Sequence, residues 1–326
     1  MTSLPVTAAA GGTPARALRY AVRVPMLLWH VCVHLPVVLL LGTPAIAGRG
    51  WTGETPGHRA IRWWQGGLMW IFGFRLRRVG TPLPGAVLFV ANHVSWIDIS
   101  ALHSQRMMGF VAKREIAGWP VVGWLAGRGE TIFHQRGSQE SLGGVLHEMV
   151  ARLRSGRGVG VFPEGRTRGG DHVGPFHARI FQAAVEADVA VQPVALRYGA
   201  NGEGQATVAF GERESFFANF LRLLGEPVRP AEVMFLEPIL PANTEGRRRI
   251  ADVSRERIVA ALGPVGCRSS IRLLRMQPRP RRTTRAWAAA ITRRRCGCAA
   301  RMCRPCWPAA RGGASAGPGG WPRPAR

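Results

Sequence analysis

The chain has 326 residues, 46% of them hydrophobic, and a mean hydropathy of +0.01. That leaves room for one substantial domain with flanking segments, and it is more apolar than a purely soluble protein needs. The formal charge of +25 is unevenly spread: 15 arginines and no Asp or Glu fall between Cys267 and Arg326, leaving +10 for the rest. That moderate surplus suits anionic lipid headgroups and argues against nucleic acid as a partner. Lys113 is the sole lysine, so the arginine richness reads as coding bias and not as selection for phosphate contacts.

Residues 1–23 are small and polar with a few arginines, and are expected to be mobile. No formal charge occurs between Arg23 and Arg49, so residues 24–48 read as a membrane-embedded helix or as a re-entrant hairpin broken near Pro36. Ala45-Ile46-Ala47 also resembles a signal-peptide cleavage site, but the lead-in is long for that role. Basic residues on both flanks give orientation rules little to choose between. Residues 59–82 interleave Trp63, Trp64 and Trp70 with Arg62, Arg75, Arg77 and Arg78, the pattern of an interfacial amphipathic segment.

From residue 83 the periodicity alternates between strand and helix. Strands are expected at 86–91, 109–112, 131–133, 158–162, 189–196, 206–210 and 233–236, and helices near 96–103, 138–154, 176–187 and 213–224. Thr244 is placed to cap a last helix over 245–262. The fold class this implies is α/β, a mixed sheet flanked by helices, spanning 83–264. Residues 265–326 form a low-complexity, Arg-rich tail without sustained period, expected to be disordered. Five of the six cysteines fall there, and their C-x-C-x4-C-x2-C spacing with no nearby His does not make a metal site.

Four segments carry chemistry. Asn92-His93-x4-Asp98 follows an apolar strand; the imidazole titrates near neutrality and could take a proton from an alcohol, and a carboxylate one helical turn later could orient the ring. Ser95-x-x-Asp98 is also a capping box, which would explain Asp98 without catalysis. Phe162-Pro163-Glu164-Gly165-Arg166-Thr167-Arg168 ends another apolar strand in a cationic, donor-rich turn suited to a phosphate monoester or a developing oxyanion. Gly129 to Arg136 reads as a strand ending on an arginine. Gln192-Pro193-Val194 puts a proline inside an apolar strand, the mark of an edge or a bulge.

In this order the four segments resemble the lysophospholipid acyltransferase family of the 1-acylglycerol-3-phosphate acyltransferase type, over about residues 85–260. Lys113-Arg114-Glu115-Ile116 and Trp119-Pro120-x-x-Gly123 resemble the family's stretch between its first two motifs. The resemblance implies His93 as general base and Asp98 as its orienting partner. It places Arg136, Glu164 and Gly165, with Arg166 or Arg168, at the lysophospholipid acceptor, and Pro193 at the acyl-donor site. It implies acyl transfer from acyl-CoA or acyl carrier protein to 1-acylglycerol-3-phosphate, giving phosphatidate, with no metal or other cofactor. The enzyme would contact membrane lipids at the cytoplasmic face of a bacterial inner membrane.

Two departures are visible. Glu130 stands where the family has glycine, and Arg166 precedes Thr167 where the family has Thr then Arg. The second leaves open which arginine meets a phosphate, and keeps another acceptor, such as a lyso-ornithine lipid, in view. A basic, non-catalytic binder acting through the tail is the rival from another class, and it leaves the ordered motifs unexplained.

Overall fold

The computed structural model describes residues 13–42, 55–119, 123, 126, 129–134, 139–244 and 246–263. The expected tail disorder, its cysteine cluster and Arg136 lie outside them.

The N-terminal segment is helical from Thr13, earlier than a mobile stretch over 1–23 would allow. Helix α1 (Thr13–Trp29) runs through a π-turn at His30–His34 into α2 (Leu35–Leu41). Pro36 therefore does not break the helix. The wide turn before it accommodates the missing backbone donor. Residues Pro14–Leu41 make one helix long and apolar enough to cross a membrane.

Helix α3 (Pro56–Ile71) then returns along it, with Thr55 Oγ1 accepting from His58 N at 3.1 Å to cap its start. The approach is close: a Cβ on Gly67 would stand 2.6 Å from the His30 ring. His30 stacks on Trp64 (5.2 Å between centroids) and its Nε2 meets the Trp64 carbonyl at 2.9 Å. His30 Nδ1 lies 2.9 Å from His34 Nδ1, and Trp29 Nε1 donates to His34 Nε2 at 3.2 Å. The outer surface keeps Leu18, Leu28, Trp29, Val37, Leu40, Trp63 and Trp70 exposed. The hairpin is thus made by two helices and not by a kink within one.

The 59–82 stretch is not a single amphipathic segment. It ends as helix at Ile71, turns at Gly73 (φ +85°), and continues as strand β1 (Phe74–Val79). Trp64, Met69, Phe72 and Phe74 are core residues. Among the described residues there then follow β2 (Val87–Ala91), α4 (Ile97–Gln105), β3 (Gly109–Lys113), β4 (Ile132–His134) and α5 (Gln139–Arg154). The rest of the domain is β5 (Val159–Val161), α6 (Gln182–Ala187), β6 (Ala190–Tyr198), α7 (Gln205–Val208), α8 (Phe216–Leu224), β7 (Arg229–Phe235) and α9 (Gly246–Leu262).

The sheet order is β1-β7-β6-β2-β5-β3-β4, and among the described residues only the β6–β7 strand pair is antiparallel. Successive residues of β2 point to opposite faces. Val87, Phe89 and Ala91 join one core cluster, which holds residues of α3, α4 and α8. Leu88 and Val90 join the other, which holds residues of α5, α6 and α9. Each such Leu or Phe contributes roughly 1.5–3 kcal/mol by leaving water.

Residues 206–210 are not a strand. Ala206 to Val208 lie in the short helix α7, and Val208 and Ala209 are buried there. The Gln205 amide closes the end of β6, accepting from Tyr198 N at 3.0 Å and donating to Leu196 O at 3.1 Å. Nor is Pro193 on an edge, because β6 lies between β2 and β7. Val194 pairs with Phe235 but Val191 bridges Ile239, so the partner carries one extra residue opposite the proline. That bulge accommodates the missing N–H.

Candidate active site

Parallel pairing brings the C-terminal ends of β2, β5 and β6 to one edge of the sheet. The end of β2 is fastened to β6 by Asn92, whose amide donates to Leu196 O (3.0 Å) and accepts from Leu196 N (2.8 Å). His93 follows, and α4 places Asp98 in its first turn.

Asp98 has no solvent exposure. Its Oδ2 accepts from His93 Nδ1 (2.8 Å), Val94 N (2.7 Å) and Ser95 N (2.9 Å), and its Oδ1 from the Tyr198 hydroxyl at 2.5 Å. Asp98 thus binds the ring and supplies the returning half of a capping box. The Ser95 hydroxyl does not cap; it donates to Asn219 Oδ1 at 3.2 Å, which also receives Trp96 Nε1 at 3.1 Å. The His93 ring stacks on Phe162 (3.9 Å, 14°), which stacks in turn on Phe110. With Nδ1 committed to Asp98, Nε2 is the nitrogen left to take a proton.

The turn after β5 is tied to the same loop. Glu164 is 2% exposed; it accepts from His93 N (2.9 Å) and Gly174 N (2.8 Å) and lies 3.4 Å from Arg168 Nε. Burial pushes its carboxyl above the usual range, opposed by those amides, Arg168 and His93. Gly165 is left-handed (φ +70°), and a Cβ there would lie 3.1 Å from the His177 ring. Arg168 N donates to His93 O at 2.8 Å. Burial, then the Asp98 charge and hydrogen bond, push the Tyr198 phenol well above its usual range, so it stays a neutral donor.

His93 opens on a cleft of about 230 Å³ lined also by Glu164, Arg168, Asp171, Arg197 and Arg255. Arg168 reaches it; Arg166 is exposed and does not line it. Arg197 is paired with Glu232 (Nε to Oε2, 3.0 Å). Arg255, from α9, donates to the carbonyls of Val173 and Gly174, each at 2.8 Å. Pro193 does not line the cleft; it pairs beside Val90 inside the sheet, three residues before His93. Glu130 adopts φ +59°, the left-handed conformation that glycine takes most readily, so the turn into β4 has the backbone a glycine would give it. Tyr198, Arg197, Arg255 and Asn219 carry no motif signal, and strand and helix period mark them only as half-buried polar positions.

A family model described as Acyltransferase matches residues 77–197. A lyso-ornithine lipid O-acyltransferase of Pseudomonas aeruginosa is 36% identical over 206 residues, 63% of this chain and 79% of that protein. The chain belongs to the acyltransferase family. A 1-acyl-sn-glycerol-3-phosphate acyltransferase of Neisseria gonorrhoeae is 39% identical over 126 residues, 39% of this chain and 49% of that protein. The crystal structure of the 1-acyl-sn-glycerophosphate acyltransferase of Thermotoga maritima shares the fold, with a TM-score of 0.60 at 19% identity, over 78% of this chain and 98% of that one. The relatives of this acyltransferase are named for different acceptors, lyso-ornithine lipid in the Pseudomonas and Brucella abortus enzymes and 1-acyl-sn-glycerol-3-phosphate in the Neisseria enzyme.

Proposed function

We propose that the enzyme transfers an acyl group from acyl-CoA or acyl carrier protein to the hydroxyl of a lyso-ornithine lipid, with His93 as general base. The observation that carries the mechanism is that His93, which lines the cleft, is held from behind by the buried Asp98. His93 Nε2 takes the proton of the acceptor hydroxyl as its oxygen attacks the thioester carbonyl. The tetrahedral intermediate collapses, the C–S bond breaks, and the imidazolium returns the proton to the leaving thiolate, giving ester and free thiol. Asp98 holds the ring and stabilises its charged form between the two transfers.

Two observations favour lyso-ornithine lipid as the acceptor. Its headgroup carries a carboxylate and an ammonium, and the cleft offers Arg168 for the first and Asp171 for the second. The chain also spans 79% and 77% of the lyso-ornithine lipid enzymes of Pseudomonas and Brucella abortus. The second reading is 1-acylglycerol-3-phosphate, favoured by the local identity to the Neisseria enzyme and by the cationic turn. In either case Glu164 and Gly165 shape the turn that presents Arg168, and Arg136 keeps its acceptor role on resemblance alone. Pro193 acts on the donor side through the β2–β6 pairing. The hairpin of α1–α2 with α3 enters the membrane from the cytoplasmic side and brings the cleft to the lipid surface.

The test is one acylation assay on the full chain in vesicles, offering each lysolipid at equal surface density with each thioester donor. The expected result is faster esterification of lyso-ornithine lipid, and a loss of about 10²–10⁴ in rate for His93→Ala. Preferential phosphatidate formation would establish the second acceptor. A His93→Ala enzyme of near-normal rate would remove the base.

A further inference from the structure

We infer that Tyr198 is a positioning residue for the base, fixing through its hydroxyl which oxygen of Asp98 faces His93 and how strongly that carboxylate holds the imidazolium. This rests on His93 being the base. Tyr198 ends β6, which runs past the end of its parallel neighbour β2 (Ala91 pairs with Val194) and so brings the phenol up beside the His93 loop. Its place is fixed on every side. The backbone N–H donates to Gln205 Oε1 at 3.0 Å, the carbonyl accepts from Gly204 N at 2.9 Å, and the ring packs edge-on against Phe74 at 5.5 Å. Tyr198 is 1% exposed, which keeps bulk solvent from its hydroxyl.

The distribution of donors on Asp98 gives the hydroxyl its role. Among the described residues, Oδ2 receives three of them, the His93 ring included, whereas Oδ1 receives only Tyr198. Without the phenol, Oδ1 has no partner among the described residues and, with Asp98 itself fully buried, the carboxylate is free to rock and to share its charge differently with the ring. A carboxylate that has lost a donor is a stronger base, so it raises the affinity of His93 for a proton and leaves less free base near neutrality.

Tyr198→Phe keeps the ring and removes only the hydroxyl. The expected result is a kcat about tenfold lower at neutral pH, KM for both substrates within about twofold, and an acid limb of the kcat/KM profile moved to higher pH. Phe74→Leu, which loosens the ring's packing without touching the hydroxyl, should leave that limb in place. The chain has only two tyrosines, which permits a test without truncation. In a Tyr20→Phe background, 3-fluorotyrosine at position 198 is a stronger donor and should move the limb to lower pH. This second measurement stands if Tyr198→Phe fails to fold. If His93→Ala is inactive while both Tyr198 replacements keep the parent limb and kcat, the inference fails alone. If His93→Ala is active, the base assignment fails first.

Discussion

Replacing Asp98 by Asn separates charge from geometry at the base. The amide oxygen can occupy the place of Oδ2 and accept from His93 Nδ1, Val94 N and Ser95 N, while the amide NH₂ points at the Tyr198 oxygen. The number of hydrogen bonds changes little, and the imidazolium loses its anion. With nitrogen and oxygen 2.8 Å apart, the two charges are centred about 4 Å from each other. At the effective dielectric constant of about 20 that suits protein sites, their attraction is about 4 kcal/mol. If the ring is fully charged in the transition state, that corresponds to about three decades in rate. Asp98→Asn should therefore lower kcat by about 10³ and leave the thermal midpoint close to the parent's. Asp98→Ala should also destabilise the fold, because it strands buried donors on Val94, Ser95 and Tyr198 at about 1–3 kcal/mol each. Thiol release from acyl-CoA reads the rate, and thermal unfolding in detergent reads the fold. An Asp98→Asn enzyme within about threefold of the parent rate would refute an electrostatic role for this carboxylate.

Arg168→Met should raise the acceptor KM about tenfold and Arg166→Met less than twofold, because of these two only Arg168 lines the cleft; the reverse order would move the anion site. Arg23 donates to the carbonyls of Leu224 (2.8 Å) and Glu226 (2.7 Å) at the end of α8, so Arg23→Met should cost about 2–3 kcal/mol, measured by thermal unfolding. The Glu214 carboxyl is held down to about 2, first by its Arg222 hydrogen bond, with Gly211 N and Asn219 adding to it and burial opposing. A carboxyl depressed in the fold stabilises above its unfolded value and loses that stabilisation as pH falls toward about 2. Glu214→Gln should therefore unfold earlier than the parent at pH 7, with the gap closing in acid; a gap that is constant with pH would show that the ion pair contributes nothing.

The legible parts of this molecule were those where a local pattern has one physical outcome. Val87–Ala91 is apolar on both faces and could only be an interior strand, and Asn92-His93-x4-Asp98 sits where that strand must deliver it. Strand β1 escaped because Arg75, Arg77 and Arg78 on an edge strand look like headgroup contacts in sequence. The 206–210 run alternates like a strand, yet the buried Gln205 amide ends β6 and turns the chain into α7. Pro193 called for an edge or a bulge, and only the pairing of Val191 with Ile239 distinguishes them. Tyr198 was silent because its importance lies in a contact 100 residues away in the chain, and no spacing rule reaches that far.

The aromatic clasp across the helical hairpin has a spectroscopic signature. Trp64 offers only a carbonyl to His30 Nε2, so that nitrogen carries the hydrogen and His30 Nδ1 is the acceptor. His34 must then donate from Nδ1 and accept the Trp29 indole at Nε2. Two neutral histidines one helical turn apart are thereby held as opposite tautomers. In a ¹⁵N spectrum of the assembled hairpin they would give mirrored pairs of ring-nitrogen resonances, and a chain with its helices apart would show the two rings alike.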